Sequence, residues 1–199
     1  MPKTGKVKKG YAISIENVAP FLWYRVGISD KSEVGIRVGL PIYGSGVDYS
    51  RVLYKKKNKW DMLNLAWSLN PNYNLDATYY KFKTKKTDTD FLKSRWLGFR
   101  MMSIQKGITG GTSNRFGFLY GIQSSPRWGM EFGYFHDSSS IPITDIFSSK
   151  WDPFLSENHD RYSKKPTRDE SSGLPSEFSR MTGLSFSLFF DLDAPKKKK

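Results

Sequence analysis

The chain has 199 residues, 16% of them aromatic, no cysteine and a net charge of +13, yet its mean hydropathy of -0.56 is that of a polar protein. No run approaches the roughly 18 apolar residues of a spanning helix, so a helical membrane protein is excluded; a membrane strand needs only about 9–11 residues with every second one apolar. The absence of cysteine excludes a disulfide framework, a thiolate metal site and a thiol nucleophile, and His136 and His159 leave little for an imidazole metal site.

The positive charge is concentrated in loop-like runs, Lys55, Lys56, Lys57 and Lys59, then Lys81, Lys83, Lys85 and Lys86, and in the tail Lys196 to Lys199. Such a balance suits anionic lipid, nucleic acid or an acidic polysaccharide. Met1 to Lys6 has no hydrophobic core of a signal peptide. A cell-surface location therefore expects the presequence to lie outside this chain.

Taken in chain order, the elements are strands, and period-two alternation recurs along most of the sequence. A weaker run spans 10–16. In 21–29, Leu22, Tyr24, Val26 and Ile28 oppose Trp23, Arg25 and Gly27. In 33–42, Val34, Ile36, Val38, Leu40 and Ile42 oppose Gly35, Arg37 and Gly39. Weaker runs follow at 46–55, 60–69 and 73–82. Residues 96–104 set Leu97, Phe99 and Met101 against Trp96, Gly98, Arg100 and Met102. Residues 115–122 set Phe116, Phe118, Tyr120 and Ile122 against Gly117, Leu119 and Gly121. In 127–136, Trp128, Met130, Phe132 and Tyr134 oppose Gly129, Glu131, Gly133 and Phe135. The clearest run is the last: Leu184, Phe186, Leu188, Phe190 and Leu192 against Gly183, Ser185, Ser187, Phe189 and Asp191.

Turn chemistry separates the runs at Ser29-Asp30-Lys31-Ser32, Tyr43-Gly44-Ser45-Gly46, Asn70-Pro71-Asn72, Gly110 to Asn114 and Ser124-Ser125-Pro126. One connection, about 137–178, is long and polar, and Ile143 to Leu155 within it could form a short helix. The expectation is one all-β domain over 1–199, with a Lys-rich tail at 195–199. It is a closed antiparallel up-and-down barrel of about ten strands, or eight if the weak runs in 46–69 are read otherwise.

Which face points inward follows from the smaller residues. A water-facing strand surface normally carries Lys, Glu, Thr and Gln. Here the polar face is mostly glycine (27, 35, 39, 98, 117, 121, 129, 133, 183) with Ser185 and Ser187. Glycine weakens a strand and is chosen where neighbours crowd in, as they do inside a small barrel. This predicts a membrane-type barrel with a small, polar lumen and an apolar exterior. Ile36, Val38, Phe116, Phe118, Phe132, Leu184, Phe186, Leu188 and Phe190 would then face lipid. Arg25, Arg37 and Arg100, with Glu131, Asp76 and either Asp48 or Glu16, would form a charge network in the lumen. Buried charges must pair or be hydrated, and a barrel of this size has a lumen largely filled by side chains. A salt-bridged plug is therefore expected over a narrow pore.

Two stretches resemble a loosely defined group of bacterial outer-membrane β-barrel proteins without an assigned activity. One is Thr4-Gly5-Lys6-Val7-Lys8-Lys9-Gly10, which leads into the alternation from Tyr11 to Ile15. The other is the hairpin Tyr24 to Gly39, in which an arginine-containing strand ends in an Asp turn and returns through Gly35-Ile36-Arg37. The resemblance implies an outer-membrane location with surrounding lipid and the barrel-assembly machinery as partners, and brings no catalytic residue or cofactor. Many barrels of that kind end on an aromatic residue; here Phe190 is followed by Asp191 to Ala194, Pro195 and four lysines.

The functional expectation is a non-enzymatic, monomeric outer-membrane barrel with a structural, adhesive or small-solute transport role. A soluble lipocalin-like barrel around a hydrophobic ligand is the alternative, because its alternation is the same with the faces exchanged. A lipid or peptide hydrolase is a second, resting on His136-Asp137-Ser138-Ser139-Ser140. Adjacent strand residues point to opposite faces, so His136 and Asp137 would not orient each other, and a strand end running into a Ser-rich turn explains the cluster better. His159-Asp160 is weaker still. Gly107 to Thr112 lacks the Gly-Lys-Ser/Thr ending of a phosphate loop and reads as a turn. Tyr79, Tyr80 and Phe82 among lysines suggest a nucleic-acid stacking platform only in isolation. In a barrel they are expected in the interfacial girdle, with the lysines among lipid headgroups and no nucleic acid bound. The tryptophans Trp23, Trp60, Trp67, Trp96, Trp128 and Trp151 are expected as interface anchors or lumen fillers.

Overall fold

A computed structural model of the chain describes residues 4–14, 20–39, 45–70, 72–86, 92–104, 113–137 and 183–193. These contain ten strands: β1 (Val7–Ser14), β2 (Phe21–Ser29), β3 (Ser32–Gly39), β4 (Ser45–Lys56), β5 (Lys59–Asn70), β6 (Asn72–Lys86), β7 (Leu92–Ile104), β8 (Ser113–Gln123), β9 (Trp128–Asp137) and β10 (Gly183–Asp191). Each pairs antiparallel with its neighbour in sequence, and β10 returns to β1, so the sheet closes into a barrel and leaves no edge.

The weak runs are strands in their own right, and longer than their alternation suggests. β6 continues to Lys86 and β7 begins at Leu92, which shortens the connection between them to 87–91. Lysines and threonines hide that extension, since they blur the apolar period without breaking the ladder from Asn74–Ile104 to Lys86–Leu92. Tight turns at Asp30–Lys31 and Lys57–Asn58 and the bend at 124–127 lie at the barrel end that holds both termini. Lys57 takes a left-handed backbone (φ 38°) to close its two-residue turn. The 138–182 connection leaves from the opposite end. The region 143–155, Gly107 to Thr112, Trp151, His159, Glu16 and the tail 195–199 lie outside the described residues.

The seam is held by more than its ladder. Beyond β10, the Asp193 carboxylate accepts from the Lys9 backbone N–H (2.8 Å) and the Leu192 N–H donates to the Lys9 carbonyl (3.0 Å). Lys8 reaches Asp191 at 3.8 Å. Phe190 lies inside β10, stacked on Tyr11 with ring centroids 4.5 Å apart.

The two faces of the wall differ sharply. Outside, Leu97 and Phe118 are 62% and 68% exposed, and Ile36, Val38, Leu65, Leu75, Met101 and Phe132 are exposed with them. Inside, Ser14, Glu33, Asp48, Ser50, Asn64, Thr78 and Ser185 are buried.

Candidate functional site: a charge network across the lumen

The lumen is built from a repeated arrangement in three neighbouring strands. A glycine on the middle strand leaves a gap over which the side chains on either flank meet. Arg25 on β2, Gly35 on β3 and Asp48 on β4 occupy one register row. The Arg25 guanidinium crosses Gly35 to reach the Asp48 carboxylate at 3.1 Å. Trp96 on β7, Gly121 on β8 and Glu131 on β9 form a second row, in which the indole N–H crosses Gly121 and donates to Glu131 at 2.7 Å. In a third row, Arg100, Gly117 and Phe135, the guanidinium lies 5.6 Å from the Phe135 ring centroid. Flanking strands stand about 9.6 Å apart, two strand spacings, so only long side chains over an empty middle position can meet.

A Cβ on Gly35 would stand 2.7 Å from the Asp48 carboxylate, and one on Gly121 would fall within the Trp96 ring. Glycine also takes the weight of the lumen aromatics directly opposite them, Gly10 beneath Trp23, Gly129 beneath Phe189 and Gly98 beside Tyr80.

The polar contacts form two arms. In the first, Arg25 donates to Glu33 at 2.6 Å and to Ser50 at 3.4 Å, while Asn64 donates to Asp48 at 3.2 Å and to Ser50 at 2.9 Å. Two carboxylates and a hydroxyl thus surround one guanidinium. In the second arm, Arg100 donates to Thr78 at 2.9 Å and to Tyr80 at 3.1 Å, and lies 3.6 Å from Glu131. Arg37 stands between the arms. It is attracted by Asp48 and Asp76 and repelled by Arg25 and Arg100, with its guanidinium 6.0 Å from the Phe21 ring centroid.

Arg25, Arg37, Arg100, Asp76 and Glu131 all fall on the inward side of the wall, and Asp48 joins them. Ser50, Asn64 and Thr78 escaped the sequence reading, as did two more telling members, Glu33 and Tyr80. Glu33 follows the turn at Ser29 to Ser32 and looks like a turn charge, although it shares the odd-numbered face of Gly35 and Arg37. Tyr80 was expected in an interfacial girdle with Phe82. Both in fact point inward, since Tyr80 pairs with inward-facing Met62 and Phe82 stacks on Trp60 with centroids 3.8 Å apart. Tyr79 belongs to the outer face and donates to Asp61 at 2.8 Å. The lysines around these aromatics misled the reading, because Lys81, Lys83 and Lys85 occupy the outward positions that alternate with them.

Of the outer set, Ile36, Val38, Phe118 and Phe132 are exposed, and Phe116 is half-buried. Phe186 pairs with and touches Phe132, Leu188 pairs with exposed Ile13, and Phe190 stacks on Tyr11, so these three share the outer face. Leu184 pairs with Tyr134; its side chain is outside the described residues. His136 and Asp137 end β9 opposite Phe116 and Arg115, and Ser138 to Ser140 lie outside the described residues. Among the described residues no group of His, Cys, Asp and Glu is arranged to hold a metal ion.

No family model matches the chain, and no curated protein matches it. Among solved structures, the NanC porin in a rhombohedral crystal form is similar over 92% of this chain and 97% of its own, at 9% identity and a TM-score of 0.32. At that level the likeness brings neither a substrate nor a residue role. The fold itself defines the class: a closed, antiparallel, ten-stranded barrel with a charged lumen.

Proposed function

We propose that the protein is a monomeric, non-enzymatic barrel of the bacterial outer membrane, in contact with lipid, whose lumen is shut by its own charge network and whose role is structural. One observation carries this reading. The wall is inverted relative to a water-soluble barrel, with large apolar side chains exposed outside and charged, hydroxyl and glycine residues buried inside. Exposed apolar area on this scale is costly in water, and soluble monomers seldom display a contiguous apolar patch beyond a few hundred Å². It is the normal exterior of a strand barrel in lipid. A ligand-binding soluble barrel needs the reverse, with Phe186, Leu188 and Phe190 turned inward.

Closure of the lumen is supported by the mid-height residues Ser50 and Thr78, both 0% exposed although they face the interior. A structural role suits a wall in which Arg25, Glu33, Asp48 and Asn64, and likewise Arg100, Tyr80 and Glu131, are engaged with one another. The test is refolding from denaturant. The chain is expected to regain β structure in detergent micelles or lipid vesicles and to stay with the vesicles through an alkaline wash. A monodisperse, folded monomer in detergent-free buffer would overturn the proposal.

A further inference from the structure

We infer that one sector of the wall, at the end holding the termini, carries a binding strip for the phosphate groups of anionic phospholipids; the inference rests on the membrane reading above. Its core is a row of four cations directly opposite one another on adjacent strands: Lys56 on β4, Lys59 on β5, Lys83 on β6 and Arg95 on β7. Lys85 and Lys93 form a second such pair one step nearer the end. All six face outward and all six are exposed. Like charges directly opposite on a sheet destabilise it, and water-facing sheets ordinarily alternate the signs.

Here no acid shares these rows. None of the six makes an ion pair with another described residue. Among the described residues, the acids nearest the same end are otherwise engaged: Asp61 with Tyr79, Asp30 with Thr4, Asp191 with Lys8 and Asp193 with the Lys9 backbone. Asp88 and Asp90, in the 87–91 connection, lie outside the described residues. Among the described residues the strip therefore has no counter-charge. Its missing partner is an extended anionic surface rather than a single ion, since three strand spacings make the row about 14 Å wide.

Its position selects lipid over a soluble polyanion. The outward face of β6 runs Leu75, Ala77, Tyr79 and then Lys81, Lys83, Lys85; that of β7 runs Met101, Phe99, Leu97 and then Arg95, Lys93. The apolar surface stops and the basic surface starts within one register step on both strands. That is the depth at which acyl chains give way to headgroups. Lysine ammonium groups and the forked arginine guanidinium suit phosphodiester oxygens.

The experiment uses the full chain refolded into phosphatidylcholine vesicles, with trace spin-labelled phosphatidylglycerol or phosphatidylcholine reporting the lipid held at the wall. The wild type should hold phosphatidylglycerol in preference, with the preference collapsing in 1 M salt, where the screening length is about 3 Å. Lys59→Gln/Lys83→Gln/Arg95→Gln should lower the preference about twofold or more. The single Lys83→Gln should lower it less, and gives a reading should the triple variant fold poorly. Lys6→Gln/Lys31→Gln/Arg127→Gln, which removes equal charge elsewhere, should leave it intact.

Equal retention of both lipids by wild type overturns the strip, as does an equal loss in the control variant. So does retention of soluble polyphosphate by a barrel with no lipid preference. A chain that does not enter phosphatidylcholine vesicles overturns the membrane reading itself.

Discussion

A glycine facing the lumen does its work through the side chains that cross it. At Gly121 the Trp96 indole occupies the volume a Cβ would need and ends on Glu131. Gly121→Ala should therefore displace the indole, break its hydrogen bond and destabilise the barrel by about 1–3 kcal/mol, the range for overpacking. Urea unfolding in vesicles, followed by tryptophan emission, reads both the loss and the displaced ring. The first arm of the network tests a different term. Arg25 neutralises Glu33 and Asp48, which are both nearly inaccessible. Arg25→Leu leaves two carboxylates without their cation and should cost about 3–5 kcal/mol. Arg25→Leu/Glu33→Leu/Asp48→Leu should recover most of that loss, because removing a whole buried ionic group is often neutral. A triple variant as unstable as the single one would show that the ions stabilise the fold outright. These residues were partly legible in sequence. Arg25, Arg37, Arg100, Glu131 and Asp76 stand on the glycine face by parity alone. Their pairing was not, since it depends on which glycine of the neighbouring strand falls in the same row, and a one-residue slip would exchange every partner.

Strand length divides the barrel into a firm sector and a weak seam. β6 and β7 pair from Asn74 to Lys86, whereas β1 and β10 pair over Gly10 to Ser14. Breaking a short ladder exposes fewer backbone groups, so opening should begin where the termini meet. Amides of Gly10 to Ser14 and Ser187 to Asp191 should exchange with deuterium before those of 75–83, and Asp193→Ala should quicken the former alone, because Asp193 clamps the Lys9 N–H. Uniform exchange around the barrel would contradict a weak seam. The same contrast explains what the sequence reveals about elements. Strands whose outer face is wholly apolar, such as β3 and β10, declare themselves by alternation. β6 does not, because its outer face changes from Leu75 and Tyr79 to Lys81, Lys83 and Lys85 where the wall leaves its apolar band. The ladder continues regardless, since backbone pairing does not depend on the polarity of the outer face. Tyr80 and Phe82 were misassigned for that reason: their neighbours are charged, but their own face is the lumen.

At the scale of the whole molecule the question is whether ten strands enclose a path. Eight strands leave an interior that side chains just fill, while sixteen or more leave a channel. Ten strands with a glycine-rich lining have a slightly wider bore, and here long side chains span it. Arg25, Trp96 and Arg100 each cross a neighbouring strand to reach a partner. Each lays a long side chain over the lumen face of the wall, and Trp96 meets Phe189 three strands away with ring centroids 5.8 Å apart, so side chains of the wall itself fill the bore. The wild-type barrel in a planar bilayer should accordingly show no discrete conductance steps. Replacing the first arm by small polar groups, Arg25→Ser/Glu33→Ser/Asp48→Ser, removes the crossing side chains but keeps the surface wettable, and should admit ions. Replacing the same three residues by leucine refills much of the space with apolar atoms and should leave the lumen shut. Steady conductance by the wild type would sink the closed-lumen reading. A silent serine variant that still inserts would place the constriction elsewhere, at the Arg100, Tyr80 and Glu131 arm, where Arg100→Ser in the same background becomes the decisive measurement.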